Sequence, residues 1–257
     1  MIDQLWLILL GFAAGILGSM IGLGGGIIVV PVLTFLGFPP TAAASNSLFA
    51  ALSNSIASTI SYTKQKRIEF SLGLKLGLLS IPGTVLGALI STDVTPIVFK
   101  ILFGFVLIAS AVYIFLRKKI QTKDKILSKQ MMLFAVGASF FAGIISSFFG
   151  IGGGIIFVPL MVVGMGMAMK KAAPTSQLIL LFASSSGVVV HSLLGHPDFL
   201  QAGFLAIGSF IGGLVGARLS LDVKERYLQI LVSVVILIAA GKLFLDSLSE
   251  NFPLFGF

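Results

Sequence analysis

The chain has 257 residues, of which 57% are apolar and only 10% are Asp, Glu, Lys or Arg. Soluble domains carry about 25% charged residues, so this chain has too little charge to cover a surface in water. Its mean hydropathy of +1.10 and its apolar runs predict a polytopic membrane protein, and they exclude a soluble enzyme, a nucleic-acid module and a disulfide scaffold.

Eight apolar segments follow one another along the chain. They cover roughly 4–37, 41–62, 70–91, 97–116, 132–165, 172–194, 199–219 and 226–246. The most polar stretch, 117–125, lies between the fourth and fifth segments. The sequence therefore predicts an all-α protein with two membrane repeats of four segments, 1–116 and 131–257, joined by a basic cytoplasmic linker at 117–130. We expect the first segment to be retained, because no basic region precedes it.

The two halves of the chain repeat each other. The motif Gly-Leu-Gly-Gly-Gly-Ile-Ile-Val-Val-Pro at 22–31 returns 128 positions later, at 150–159, as Gly-Ile-Gly-Gly-Gly-Ile-Ile-Phe-Val-Pro. With one further residue inserted, Gly83 and Gly87 match Gly212 and Gly216. Because one register holds over so many positions, we predict an internal duplication of roughly 5–116 against 133–245.

Each glycine run interrupts a long apolar segment. Glycine costs a helix about 1 kcal/mol relative to alanine, so four glycines within five positions are expected to break the helix. Non-helical backbone is tolerated inside a membrane only where it is buried in protein or lines a cavity. The free amides of a broken helix attract anions, which predicts a substrate site at both breaks. The predicted substrate-binding glycines are Gly24, Gly25, Gly26, Gly152, Gly153 and Gly154.

Close helix packing is the alternative explanation of the glycine runs, since small residues let membrane helices approach one another. We prefer packing for Gly83, Gly87, Gly212 and Gly216. A nucleotide-binding loop is disfavoured, because Ile27 stands where the last glycine of Gly-x-Gly-x-x-Gly would fall and no Gly-Lys-Ser/Thr follows.

Basic residues distinguish two topologies. If all eight segments cross the membrane, eleven Lys and Arg residues lie on the linker side and six on the other. If each glycine-broken segment returns to the side it entered, only Lys100 and Lys242 of the 17 lie opposite the linker. The positive-inside rule favours the second arrangement. The sequence thus favours inverted repeats with re-entrant hairpins, with both termini outside.

Polar clusters begin the segments that follow each break, and their neutral donors suit an oxyanion. The predicted substrate-binding side chains are Asn46, Ser47, Thr175, Ser176 and Gln177. Ordinary hydrogen bonding between helices is the alternative for these residues. Because the apolar segments hold no deep Asp or Glu, a cation substrate is disfavoured.

His191 is the titratable group within the sixth segment, and it could gate the pathway or relay a proton. The alternative is a simple structural hydrogen bond, and His196 is expected to be a loop residue. The chain has no cysteine, and its two histidines are five residues apart. We therefore predict no metal site, no cofactor and no enzymatic activity.

Two copies of Gly-x-Gly-Gly-Gly-x-x-x-x-Pro in a duplicated membrane protein resemble the TauE/SafE sulfite exporter family, also called the toluene sulfonate uptake permease family. The residues that carry this resemblance are Gly22, Gly24, Gly25, Gly26, Pro31, Gly150, Gly152, Gly153, Gly154 and Pro159. The resemblance implies a secondary transporter of the plasma membrane, working by alternating access on sulfite, thiosulfate, a sulfonate or a related organosulfur anion. The residues themselves fit any small anion, such as phosphate or formate. A passive anion channel is the alternative function, and the protein could also form a homodimer.

Overall fold

The computed structural model describes residues 4–92, 94–116 and 129–222, together with 234, 237, 238, 240 and 241. These residues form helices and connecting loops, with no strand among them. The helices are α1 (Trp6–Ile21), α2 (Gly26–Phe35), α3 (Pro40–Lys64), α4 (Phe70–Ser91), α5 (Pro96–Leu116), α6 (Lys129–Phe149), α7 (Gly154–Pro159), α8 (Met169–Leu193) and α9 (Phe199–Leu219). A π-helical segment, Leu160–Gly164, continues α7. Most of the predicted linker and of the segment at 226–246 lies outside the described residues.

The composition of the helices agrees with a membrane environment. The helices α4, α8 and α9 are long and apolar enough to cross a membrane, and α1, α2 and parts of α5 and α6 are shorter apolar helices. Large apolar side chains such as Leu9, Phe105 and Phe141 are more than 60% exposed on the outside of the molecule. Such a surface suits lipid rather than water. The prediction of an all-α, multi-pass membrane protein is confirmed.

The helix α3 is long but less apolar than its neighbours, because polar side chains cover its inner face. Ser45, Asn54, Ser55 and Ser58 on this helix are fully buried. The most extensive contacts pair α1 with α9, α3 with α9, α4 with α6, α4 with α8 and α3 with α8. Helices of the first half therefore pack mainly on helices of the second half, and α3 and α8 lie at the centre.

Four glycines bring the backbones of crossing helices into contact. A Cβ on Gly83 or Gly87 of α4 would overlap a carbonyl oxygen of α6, at Phe140 and Ile144 respectively. In the same way, Gly212 and Gly216 of α9 lie against carbonyl oxygens of α1. No larger residue fits between these backbones, so the packing explanation predicted for these four glycines is confirmed.

Contacts between loop residues define the two ends of the helical bundle. At one end, Arg67 Nε donates to the Lys170 carbonyl at 2.9 Å, and Gln65 Nε2 donates to the Ala217 carbonyl at 3.1 Å. The ends of α3 and α9 and the start of α8 therefore meet here. We call this the basic end, because it carries Lys64, Lys66, Arg67, Lys170, Lys171 and Arg218. The opposite end is where α3 and α9 begin and α8 finishes.

Candidate functional site

The two glycine runs break the helices as the sequence predicts. Helix α1 ends at Ile21 and α2 begins at Gly26, while α6 ends at Phe149 and α7 begins at Gly154. Gly25 and Gly153, which precede the new helices, both have φ of +79°. Residues with a side chain rarely adopt this conformation, so glycine is required at each break. The breaks therefore depend on a backbone conformation that glycine adopts readily and other residues do not.

The first break turns the chain back along itself. A Cβ on Gly25 would lie 2.9 Å from the carbonyl oxygen of Ala14, eleven residues earlier, so the start of α2 lies beside α1. Leu36 and Phe38, which follow α2, line the same cavity as Trp6 at the start of α1. Helix α2 consequently runs back toward the end at which α1 begins.

The two breaks meet in the interior of the protein. A Cβ on Gly26 would lie 2.5 Å from the Gly150 carbonyl oxygen, and a Cβ on Gly154 would overlap the Gly22 carbonyl oxygen. The residues at 18–27 and 146–154 are all buried. In this structure the meeting point of the breaks is closed to both ends of the molecule.

Several backbone amides at the breaks have no acceptor. Within the described residues, the N–H groups of Gly25, Gly26 and Ile27 donate no hydrogen bond, and neither do those of Gly153 and Gly154. Buried amides are nearly always bonded, so such a cluster is unusual. The start of a helix also carries about half a positive charge. This arrangement can accept the oxygen atoms of an anion.

The predicted polar ligands differ in whether their hydrogen bonds are already used. Ser176 Oγ donates to the Gly22 carbonyl at 2.7 Å, and Gln177 Nε2 donates to the Gly18 carbonyl at 2.9 Å. Both side chains thus bind the end of α1. Ser47 Oγ is buried without a hydrogen-bond partner, 2.9 Å from the position of a Cβ on Gly26. Ser47 is the polar side chain that faces the first break with a free hydroxyl.

Asn46 and Thr175 bind the starts of neighbouring helices. Asn46 Oδ1 accepts from the amide of Asp198, the residue before α9, at 3.0 Å. Thr175 Oγ1 accepts from the amide of Glu69, the residue before α4, also at 3.0 Å. The structure therefore brings these two predicted ligands to loops, whereas it brings Ser47, Ser176 and Gln177 to the first glycine hairpin.

Leu180 is a central residue that the sequence analysis did not single out. Its side chain lies against both Gly24 and Gly152, and it is fully buried. Ala51, its equivalent 129 positions earlier, also lies close to Gly152. The hydropathy of a leucine gives no sign of such a position. The repeat register does, because it pairs a small residue with a large one beside the breaks.

His191 and His196 contact each other near the opposite end. Their Nδ1 atoms are 2.8 Å apart, and His191 Nε2 lies 3.1 Å from the carbonyl oxygen of Ser147 on α6. His196 is a loop residue, as expected, but its ring is part of this cluster. Partial burial lowers the pKa of His196 below its ordinary value.

Tyr62 and Arg67 form a related cluster at the basic end. Tyr62 Oη donates to the Ser19 carbonyl at 2.9 Å, and the Arg67 guanidinium lies 5.1 Å from the centre of the Tyr62 ring. The sequence analysis missed this pair. The repeat register could have found it, because Tyr62 and Arg67 are each 129 positions before a histidine of the other cluster.

These features define an all-helical membrane protein built around two broken helices whose breaks meet in its interior. The chain belongs to the sulfite exporter TauE/SafE family, whose model matches residues 7–243. The family is one of membrane transporters, and the chain is a membrane protein of this class.

Similar proteins occur in bacteria and archaea. The chain is 29% identical to the probable membrane transporter protein YunE of Bacillus subtilis, over 94% of this chain and 97% of that protein. It is 29% identical to the probable membrane transporter protein MJ0441 of Methanocaldococcus jannaschii, over 90% and 91% of the two chains. It is 26% identical to the probable membrane transporter protein YfcA of Escherichia coli K12, over 91% of this chain and 87% of that protein. No solved structure matches the chain.

Proposed function

We propose that this protein is a secondary transporter of a small anion, which binds where the two glycine breaks meet. One observation carries the proposal: the buried amides at the start of α2, among them that of Gly26, have no acceptor and lie beside the free hydroxyl of Ser47. An anion would supply the acceptors that these donors lack. Neutral donors and partial helix charges bind an oxyanion without a full opposite charge, so the anion can also leave.

The other predicted ligands have a positioning role in this proposal. Ser176 and Gln177 hold the last carbonyls of α1, so they fix the first hairpin against α8. Asn46 and Thr175 hold the starts of α9 and α4 to the central helices. Gly24, Gly25, Gly152 and Gly153 supply the backbone conformation at the breaks.

We also propose inverted repeats, 1–116 and 131–257, each containing one re-entrant hairpin. Two observations support this topology. Helix α2 runs back along α1, and the basic end gathers Lys170 and Arg218 with Lys64. These residues would lie on opposite sides of the membrane if every segment crossed it. The basic end is cytoplasmic under the positive-inside rule.

Burial of the breaks favours a transporter over a passive channel. A channel needs a continuous path, whereas residues 18–27 and 146–154 are closed to both ends. A substrate reaches them only after the surrounding helices move. The proposed mechanism is alternating access, in which the two halves move so that the breaks open to one end at a time.

The family name supports a sulfur-containing anion, such as sulfite, thiosulfate or a sulfonate.

The test is uptake of these anions, labelled with radioactive sulfur, into liposomes containing the purified protein. We expect saturable uptake that accelerates when the liposomes are preloaded with the same unlabelled anion, because a carrier exchanges its substrate. Uptake no faster than in protein-free liposomes, for sulfur anions and also for phosphate and formate, would refute the proposal. Uptake of phosphate or formate alone would refute only the sulfur assignment. Conductance without acceleration by preloading would identify a channel.

A further inference from the structure

The tip of the first hairpin, from Ser19 to Gly22, lies among three helices near the basic end. Tyr62, close to the end of α3, donates to the Ser19 carbonyl. A Cβ on Gly22 would lie 2.7 Å from the Cα of Ala173, in the second turn of α8. A Cβ on Gly216, close to the end of α9, would overlap Ser19 Oγ. A route from the basic end to this tip would therefore pass between α3, α8 and α9.

One side chain joins the ends of the same three helices. Arg67 follows α3, and its Nε donates to the Lys170 carbonyl at the start of α8, at 2.9 Å. Its Nη1 donates to Gln65 Oε1 at 2.9 Å and to Ser220 Oγ, directly after α9, at 2.8 Å. A guanidinium can make several such bonds at once because its N–H donors form a rigid, planar fork. Arg67 therefore holds together the three helices that surround the tip.

Local features of the sequence prepare both sides of this contact. Pro174 has no N–H, so the Lys170 carbonyl lacks the amide that would bond it in a regular helix, and Arg67 takes that place. Lys66 has φ of +55°, and among the described residues it is the residue other than glycine with a positive φ. In this turn the Arg67 amide donates to the Tyr62 carbonyl at 3.2 Å. The chain thus turns sharply after α3 and places Arg67 beside α8 and α9.

In the second half, the equivalent turn carries a different side chain. Gly195, the equivalent of Lys66, has φ of +73°, and the His196 amide donates to the His191 carbonyl at 3.1 Å. His196 is the equivalent of Arg67, and its ring contacts His191 of the preceding helix. A glycine therefore suffices for this turn, and the long charged side chain is a feature of the basic end.

We propose that Arg67 is the gate of the basic end: its bonds to Lys170 and Ser220 hold α3, α8 and α9 closed over the tip of the first hairpin. The proposal rests on the proposed function, because it assigns the gate that alternating access requires at this end. Arg67 is partly exposed, so water can replace each of its acceptors when the helices separate. Each such bond contributes little net free energy, and the gate can therefore open in every transport cycle.

The test measures how fast a cysteine beside the tip reacts. The chain has no cysteine, and Ala173 is buried against Gly22, so Ala173→Cys reports opening of the basic end. The purified protein in detergent is treated with N-(2-hydroxyethyl)maleimide, a small neutral reagent, and mass spectrometry gives the labelling rate. We expect Arg67→Ala to raise this rate at least about tenfold, because losing these hydrogen bonds shifts the population toward the open state. An unchanged rate would overturn the proposal.

Two matched controls separate a gate from a general loosening of the fold. Ala44 is the equivalent of Ala173 and is buried beside Gly150, so Ala44→Cys reports the opposite end. We expect no rise in its labelling rate in Arg67→Ala. Lys66→Gly copies the turn of the second half and removes a neighbouring positive charge, so labelling of Ala173→Cys should stay at the wild-type rate. Equal rises at Ala44→Cys and Ala173→Cys would overturn the gate, as would a rise in Lys66→Gly as large as in Arg67→Ala.

Arg67→His is a second variant, for the case in which Arg67→Ala does not fold. It copies the equivalent residue of the second half, and its shorter side chain cannot reach both Lys170 and Ser220. We expect the same selective rise at Ala173→Cys. Because labelling requires no transport, a rate that is insensitive to Arg67 would overturn the gate even if anion uptake is confirmed. A selective rise without anion uptake would support the gate and refute only the proposed substrate.

Discussion

Among the described residues, α1 to α4 of the first half correspond in order to α6 to α9 of the second, and each half has a glycine break. Equivalent side chains beside the two breaks nevertheless have different roles. Ser47 has a free hydroxyl, whereas its equivalent Ser176 donates to the Gly22 carbonyl. Ala51 presents only a methyl group to Gly152, whereas the side chain of its equivalent, Leu180, lies against both breaks. Backbone contacts between glycines preserve the architecture of the repeat. Side chains are then free to diverge, and the interior becomes asymmetric.

The largest effect is expected where the halves are alike, at the glycines that start α2 and α7. A Cβ on Gly26 or Gly154 would meet the backbone of the other break, so both alanine variants should lose at least about 90% of thiosulfate or sulfite uptake. Gly25 and Gly153 are less informative positions, because their positive φ penalises any side chain. The measurement is uptake per amount of folded protein in liposomes.

Gly137→Ala and Gly203→Ala are matched controls for this prediction, one on α6 and one on α9. A Cβ at either position meets no atom within 4 Å. We expect both variants to transport like the wild type. Full activity in Gly26→Ala and Gly154→Ala would show that the breaks do not need to approach each other so closely.

The second prediction separates the equivalent serines. Ser47→Ala removes a hydroxyl with no protein partner, so the melting temperature should hardly change. A hydrogen bond to a charged group contributes about 1.5–3 kcal/mol, so the KM for the anion should rise about tenfold or more. Ser176→Ala loses its bond to the Gly22 carbonyl and should instead lower stability by about 1 kcal/mol. If Ser47→Ala destabilises the fold and leaves KM unchanged, the free hydroxyl does not face the substrate.

The sequence predicts the helices well because apolar periodicity and glycine runs act locally. The glycine breaks and the packing glycines of α4 and α9 follow from the same local rules. The pairing of α1 with α9 does not follow, since hydropathy says nothing about which distant helices meet. The place of Asn46 in a polar cluster predicts a substrate ligand, and the sequence gives no sign that its side chain also binds a loop 152 residues later in the chain. Only the folded arrangement specifies that partner.

The third prediction concerns the size of the substrate. Leu180→Ala makes the second half resemble the first, because Ala51 is the equivalent residue. The variant opens space between the breaks, so uptake of a larger sulfonate relative to sulfite should rise about tenfold, as expected for a change of a few methylene groups in a pocket. The melting temperature should fall, because replacing a buried leucine by alanine costs about 2–5 kcal/mol of stability. Leu180→Met is the control of similar volume and should keep the wild-type preference.

The last prediction concerns topology and requires no loss of activity. The chain has no cysteine, so a single introduced cysteine reports its own side of the membrane. Pro39 follows the first hairpin and Lys170 begins α8, and both are exposed. These two loops are equivalent in the repeat, so parallel repeats would place them on the same side. Inverted repeats place Pro39→Cys outside and Lys170→Cys inside. In intact cells, a membrane-impermeant maleimide should therefore label only Pro39→Cys. Labelling of both from outside would contradict the inversion. Because the Arg67 side chain binds the backbone carbonyl of Lys170, not its side chain, this substitution should leave the basic end intact.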